Sequence, residues 1–326
     1  MNLIFAALLS PLLAASESDL APLADNVLDL FDSHAIVAIG DHHGEMGDAA
    51  FRNTLIQRPG LAERVDFIVL EFLNAHWQDE IDAYLGGAEF PEGTVKRFWR
   101  DTRHDVWEAP VYAEFLALLR DTLSAMPADL RPRILAGNAP VDWDGSEPGD
   151  VIIDGRETLD YPARLVICHA MRQNRTALVI FGPGHLYHDH YWSFMPLIDA
   201  ELTGAAAVIA QPVWTGLAIS RLAVDNQLGA EPALLATSEL SLAGDDLNVL
   251  ISGEPGRAVL PLNETLDYLL WMGPRGDVRQ RASETALADP ALLDLRSRQN
   301  DIRNAAPGPI SWERAPDFDP NCGGLN

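Results

Sequence analysis

The sequence predicts an α/β fold with a mostly parallel central sheet flanked by helices, and two observations carry that prediction. Short runs that are apolar on both faces recur along the chain, each closed by Gly, Pro or polar residues. Strands covered by helices on both sides have this pattern. Segments with helical spacing lie between the runs, so right-handed crossovers join successive strands. Composition agrees: 326 residues, 48% hydrophobic and 22% charged, have the make-up of a folded domain.

Taken in order, Met1 to Ala15 reads MNLIFAALLSPLLAA, an apolar run followed by small residues. Residues 1–16 are read as a signal peptide that lacks a basic residue ahead of the run, which implies a periplasmic or secreted protein. The alternative is a buried N-terminal helix in a cytoplasmic protein. Residues 20–275 form the α/β domain. Its strands are AIVAIG (35–40), FIVLEF (67–72), RILAGN (133–138), ALVIFG (177–182) and AAAVIAQP (205–212), with later candidates LNVLIS (247–252) and DYLLWMG (267–273). Helical spacing marks 45–58, 75–86, 106–126, 156–174 and 190–203. The long crossover between the second and third strands holds an inserted helical pair. Residues 276–326 are a C-terminal extension: a peripheral helix near 285–303, then an extended tail.

Charge narrows the function. Twenty-three basic residues against 48 acidic ones give a formal net charge of −25. Such a surface repels phosphate backbones and anionic lipid headgroups, so nucleic acid is excluded as a partner. No apolar stretch reaches the length of a membrane span, so no integral membrane segment is expected in the mature chain. Cys168 and Cys322 are too few for a disulfide scaffold or a structural zinc site. Cys168, within LVICHAM, reads as a small core residue and Cys322 lies in a Gly-rich tail, with their pairing left open. The chain carries no phosphate-binding loop, no dinucleotide fingerprint and no G-x-S-x-G nucleophile elbow.

Open α/β sheets bind ligands beyond the carboxyl ends of their strands. The first strand ends in Gly40-Asp41-His42-His43-Gly44-Glu45, the second at Glu71, and the third in Gly137-Asn138. The fourth runs into Gly182-Pro183-Gly184-His185-Leu186-Tyr187-His188, and the fifth ends at Gln211. Two histidines and a carboxylate therefore converge on one crevice. Imidazoles with a carboxylate can hold a divalent metal, Zn or Mn, with a position open for water. They can also work without metal, as general base and orienting partner against an acyl carbon.

Each residue has a structural alternative. Asp41 can cap the following helix. His42 and His43 face opposite ways in an extended segment, so one of them reaches the crevice. Glu71 can belong to a structural salt bridge with an Arg. His188 and His190 read as surface residues at a helix start, and Tyr187 as wall or ligand. His104, between Trp99 and Trp107, is a helix-surface residue or part of a pocket wall.

These motifs resemble a known superfamily. Gly40-Asp41-His42-His43 is similar to the G-[ED]-x-H opening shared by the ChaN-like haem-uptake proteins, the TIKI/TraB-type proteins and the erythromycin esterases. Glu71-Phe72 with Gln78, Asp82 and Tyr84-Leu85 resembles the ChaN-type stretch; so does Trp107 with Tyr112, then Asn138-Ala139-Pro140. Gly182-Pro183-Gly184-His185 resembles its G-x-x-H element, and the likeness spans residues 33–203. The resemblance implies an α/β fold with a site built from His43, Glu71 and His185. Those three are the expected catalytic residues, with Asp41 beside them as a fourth metal ligand or orienting group. The implied function is a hydrolase of an ester, lactone or amide. The alternative is a haem- or iron-binding ChaN-like protein engaged in haem or iron uptake, with Tyr187, His185 or His43 as axial ligand. Asp41 where Glu is usual, and the lack of a lipid-anchoring cysteine after the leader, depart from the pattern. The expected partner is a small-molecule substrate or haem; the oligomeric state is not legible.

Overall fold

The computed structural model describes residues 17–104, 106–147, 155–273 and 279–304, together with Cys322. The leader reading of residues 1–16 lies outside these. Seven strands form one sheet: β1 (Ile36–Gly40), β2 (Phe67–Asn74), β3 (Arg133–Asn138), β4 (Ala177–Phe181), β5 (Ala206–Ala210), β6 (Ala233–Ala236) and β7 (Tyr268–Trp271). Their order across the sheet is β3-β2-β4-β1-β5-β7-β6. Every pairing is parallel except that of β6 with β7. The fold is α/β, with a mostly parallel sheet and flanking helices.

Both faces of the sheet are covered, which explains the unbroken apolar runs. Val37, Ile39, Ile68, Leu70 and Ile180 pack on one side with residues of the helices Met46–Ile56 and Pro110–Ala125. Ile36, Ala38, Val69, Val179 and Phe181 pack on the other with Leu159, Val166 and Ile198. Neighbouring residues of one strand thus serve opposite cores, as the two-residue period of a strand requires. Every residue of β1, β2, β4 and β5 is buried.

Four readings of the sequence change. LNVLIS is a helix, Leu247–Ser252, because Asp246 caps its start by accepting the Asn248 N–H and Gly253, at φ 80°, ends it in the left-handed region. The antiparallel edge strand β6 has only half-buried residues and went unread. Among the described residues the C-terminal extension has two helices, Glu284–Leu287 and Pro290–Asn304. The second is no loose appendage: Leu295 and Ile302 bury against Val141 and Trp143, and Arg100 pairs with Asp289 at 2.7 Å. Finally, Cys168 is not a free core thiol but is bonded to Cys322 across 154 residues, with a Cα–Cα distance of 5.6 Å.

Gln78 and Asp82 of the motif stretch turn out to guard the edge strand. The Gln78 amide donates to the Ile134 carbonyl and accepts the Ala136 N–H, both at 2.9 Å, while Asp82 pairs with Arg133 at 3.0 Å. Side chains of the crossover thereby satisfy backbone groups that β3, at the sheet margin, would otherwise expose.

Candidate active-site cleft

The strand order decides where the site forms. β4 lies between β2 and β1, so the carboxyl ends carrying Glu71, Gly182-His185 and Asp41-His43 are immediate neighbours. Pairing of β2 with β3 is regular through Leu70 and Ala136, then shifts before Asn74 and Asn138. Such an irregularity re-aims side chains, and Glu71 is the residue that follows it. Asn138 steadies this stretch by donating its amide to the Glu71 carbonyl.

Three side chains surround the α-carbon of Gly182. A Cβ placed there would stand 3.2 Å from His43 Cε1, 3.4 Å from Glu71 Oε2 and 3.6 Å from His185 Cδ2. The Gly182 N–H donates to Glu71 Oε2 at 2.5 Å. Glu71 Oε1 faces His185 Nε2 at 3.5 Å. The other ring nitrogen of His185, Nδ1, donates to the Trp192 carbonyl at 2.9 Å. A carbonyl only accepts, so Nδ1 carries a proton and Nε2 is the ring nitrogen turned to the cleft.

His43 packs edge-on against Trp107, ring centroids 4.4 Å apart, and Trp107 in turn meets Tyr112. Burial lowers the proton affinity of His43 by more than the Glu71 carboxylate raises it, so its imidazole is neutral at pH 7. Its Nδ1 is buried with no hydrogen-bond partner among the described residues. The loop that delivers His43 depends on Gly44, whose φ is +74° and whose Cβ would strike the Gln280 carbonyl at 2.5 Å. Tyr112 accepts the Gly44 N–H at 3.0 Å, and Gln280 donates to the Gly44 carbonyl at 2.7 Å. The C-terminal extension therefore takes part in shaping the site.

These residues line an open cleft of about 190 Å³ whose outer walls are His104, Val106, Trp107 and Trp192. His104 belongs to the wall and is not on a helix. Trp192 and Val106 form a part of the wall that the sequence reading missed. The only available signal for Trp192 was the Tyr-Trp pair following His190.

Other candidates lie elsewhere. Asp41 neither caps the helix nor lines the cleft: both of its carboxylate oxygens take hydrogen bonds from Arg52, at 2.8 and 2.9 Å. Glu45 is the residue that caps the helix, accepting the Asp48 N–H at 2.7 Å. His42 turns from the cleft to Asp48, at 2.8 Å. Tyr187 is buried in the core beneath the β4 exit and does not line the cleft. His188 is no simple surface residue, for its two ring nitrogens meet Asp199 and Asp267, each at 2.8 Å. Glu71 pairs with no Arg among the described residues. Gln211 is partly buried at the β5 exit, near Gly47.

Among the described residues no group of three or more His, Cys, Asp or Glu side chains is disposed to hold a metal ion. His43, Glu71 and His185 are not so disposed, and Asp41, the expected fourth ligand, is committed to Arg52. No described helix is long and apolar enough to cross a membrane.

No protein-family model matches the sequence, and no curated protein matches it. Two solved structures are distantly similar. The type III effector HopBA1 shares 14% identity at a TM-score of 0.32, over 50% of this chain and 71% of that one. ChaN of Campylobacter jejuni, whose structure shows cofacial haem binding, shares 13% identity at a TM-score of 0.38, over 76% of this chain and 91% of that one. The α/β fold rests on the sheet itself, and at these values neither neighbour assigns a role to any residue of the cleft.

Proposed function

We propose that the cleft hydrolyses a carboxylic ester, lactone or amide through His43, Glu71 and His185. The observation that carries this reading is the enclosure of one point by two neutral-capable imidazoles and a carboxylate held in fixed orientation. His43, kept unprotonated by burial, takes a proton from water as its oxygen adds to the acyl carbon. Glu71, tethered by the Gly182 N–H, favours the imidazolium that forms beside it. The leaving oxygen or nitrogen departs with the proton that His43 took, and His185, its ring held by the Trp192 carbonyl, turns Nε2 to the cleft to orient the attacking water.

The test is turnover of a panel of activated esters and lactones. Wild type should hydrolyse at least one of them, and His43→Ala and Glu71→Gln should each lose about 10²-fold in kcat/KM with thermal stability near that of wild type. Full activity in both variants would show that the site is elsewhere.

A second reading, haem binding, is favoured by one observation: three imidazoles, His43, His104 and His185, share an open cleft with the exposed Trp192. His185, its Nδ1 held by a main-chain carbonyl, offers Nε2 in the manner of an oriented axial ligand. Haemin titration decides it. A stoichiometric Soret shift abolished in His185→Ala would support haem, and the absence of any shift would remove it. We further propose that the protein works in an oxidising compartment, periplasmic or extracellular, a reading that the Cys168–Cys322 bond supports.

A further inference from the structure

We infer that Trp192 is an aromatic shelf that selects uncharged substrates carrying a flat apolar group, an inference that rests on the hydrolytic reading of the cleft. Large aromatics exposed at a cleft mouth are a binding surface, since burial is their usual fate. Here Tyr191 is 55% and Trp192 42% exposed, and Val106, which lines the same cleft, is 44% exposed. The rings of His190, Tyr191 and Trp192 run in contact, with centroids 4.7 Å apart for the first pair and 5.2 Å for the second. Of the three, Trp192 lines the cleft.

The shelf is built rather than loose. The segment from His185 to Phe194 closes on itself: Phe194 N–H and Ser193 Oγ both donate to the His185 carbonyl, at 3.0 and 2.9 Å. The Ser193 N–H donates to the His190 carbonyl at 3.0 Å. Ser193 and Phe194 are fully buried beneath the exposed pair. A flat group laid on Trp192 therefore meets a surface fixed relative to His185, whose Nδ1 is held by the same residue's carbonyl. Selection against anions follows from charge. Glu71 lines the cleft, and the chain as a whole carries −25, so a carboxylate brought to the shelf meets a repulsive potential.

One distinction separates this role from a structural one. The carbonyl that orients His185 is main chain and survives any substitution at 192, whereas the indole does not. Removing the ring should thus move KM far more than kcat.

The experiment pairs calorimetry with kinetics. Binding of 2-naphthol and of 2-naphthoate, the same ring without and with a negative charge, is measured on wild type, Trp192→Ala and Trp192→Phe. The expected result is that wild type binds naphthol about tenfold more tightly than naphthoate, that Trp192→Ala weakens naphthol about tenfold, and that Trp192→Phe restores most of it. Naphthyl acetate should show the Trp192→Ala loss in KM. Equal binding of the two probes, or naphthol affinity indifferent to the Ala substitution, overturns the shelf. Trp192-dependent naphthol binding with no ester turned over would sustain the shelf and sink the hydrolytic reading. Ester turnover with Trp192-independent binding would do the reverse.

Discussion

Glu71 Oε2 accepts the Gly182 N–H at 2.5 Å, so the carboxylate leaving β2 is bound to the exit of its neighbour β4. This contact fixes Glu71 without consuming Oε1, which remains turned to His185. It also leaves little room on the β4 side, where a Cβ at residue 182 would stand 3.2 Å from His43 Cε1.

Gly182→Ala should therefore damage the site more than the fold. The new methyl would press on His43 at 3.2 Å and would reach ordinary contact with Glu71 at 3.4 Å. Ester turnover should fall about 10-fold to 100-fold, with a loss of only about 1 kcal/mol in stability. Gly184→Ala is the control, because a Cβ there meets nothing within 4 Å. Equal turnover in the two variants would mean that the trio does not act around this point.

Asp41 and Arg52 form a buried pair behind the cleft, with side-chain exposures of 10% and 4%. Burial pushes the Asp41 carboxyl up to about 6, and the Arg52 guanidinium keeps it from rising further. Arg52→Met should cost about 3–5 kcal/mol at pH 7, because it leaves a buried carboxylate uncompensated. Asp41→Asn combined with Arg52→Met should recover much of that loss. Urea unfolding of the single and double variants checks it. A double variant as unstable as Arg52→Met alone would show that stacking of the Arg52 guanidinium on Tyr112 and Phe115, not its pairing with Asp41, is what matters.

Much of this architecture is legible in the sequence because a parallel sheet sends all its strand ends the same way. Polar residues at the ends of apolar runs, the His42-His43 pair, Glu71 and His185, are recognisable for that reason, whereas the choice of His43 over His42 comes from the resemblance of the Gly40-Asp41-His42-His43 motif. Insertion of β4 between β2 and β1 was not, for it depends on pairings between Ile36, Phe67 and Ala177, remote in sequence. LNVLIS looked like a strand because its apolar content is the same in either state, and the deciding signals were the flanking Asp246 and Gly253. Trp192 reaches His185 through a main-chain carbonyl, which every residue possesses. The partners of His188 lie 11 and 79 residues away, beyond any local pattern.

His188 makes stability depend on alkaline pH. Burial opposes its charging, but hydrogen bonds to Asp199 and Asp267 outweigh burial and lift it to about 9. Unfolded, a histidine titrates near 6.5. A group whose proton is held more tightly in the folded state contributes its full stabilisation below the unfolded value and loses it as pH rises through the folded one. Wild type should therefore lose about 1–2 kcal/mol more than His188→Gln between pH 6.5 and pH 9, a difference of about 3–6 °C in Tm. Parallel Tm curves for the two proteins across that window would refute the coupling. Asp267 also accepts the Val208 N–H at 2.7 Å, so loss of the clamp should be felt at β5.

The Cys168–Cys322 bond closes a loop of 154 residues and so ties residue 322 to the helix Gly155–His169. Cross-linking residues so far apart restricts the unfolded chain more than the folded one, and bonds of this kind contribute about 2–4 kcal/mol. Arg172 donates to Cys322 Sγ at 3.1 Å, so the bridge also has a polar neighbour at its exposed end. Dithiothreitol should lower the Tm of wild type by about 5–10 °C. Cys322→Ser should start at the reduced value and show no further response to reductant. A wild-type Tm that ignores dithiothreitol, with free thiols counted before and after, would show that the two cysteines are not joined in solution. The oxidising location proposed for the protein would then lose the observation that supports it.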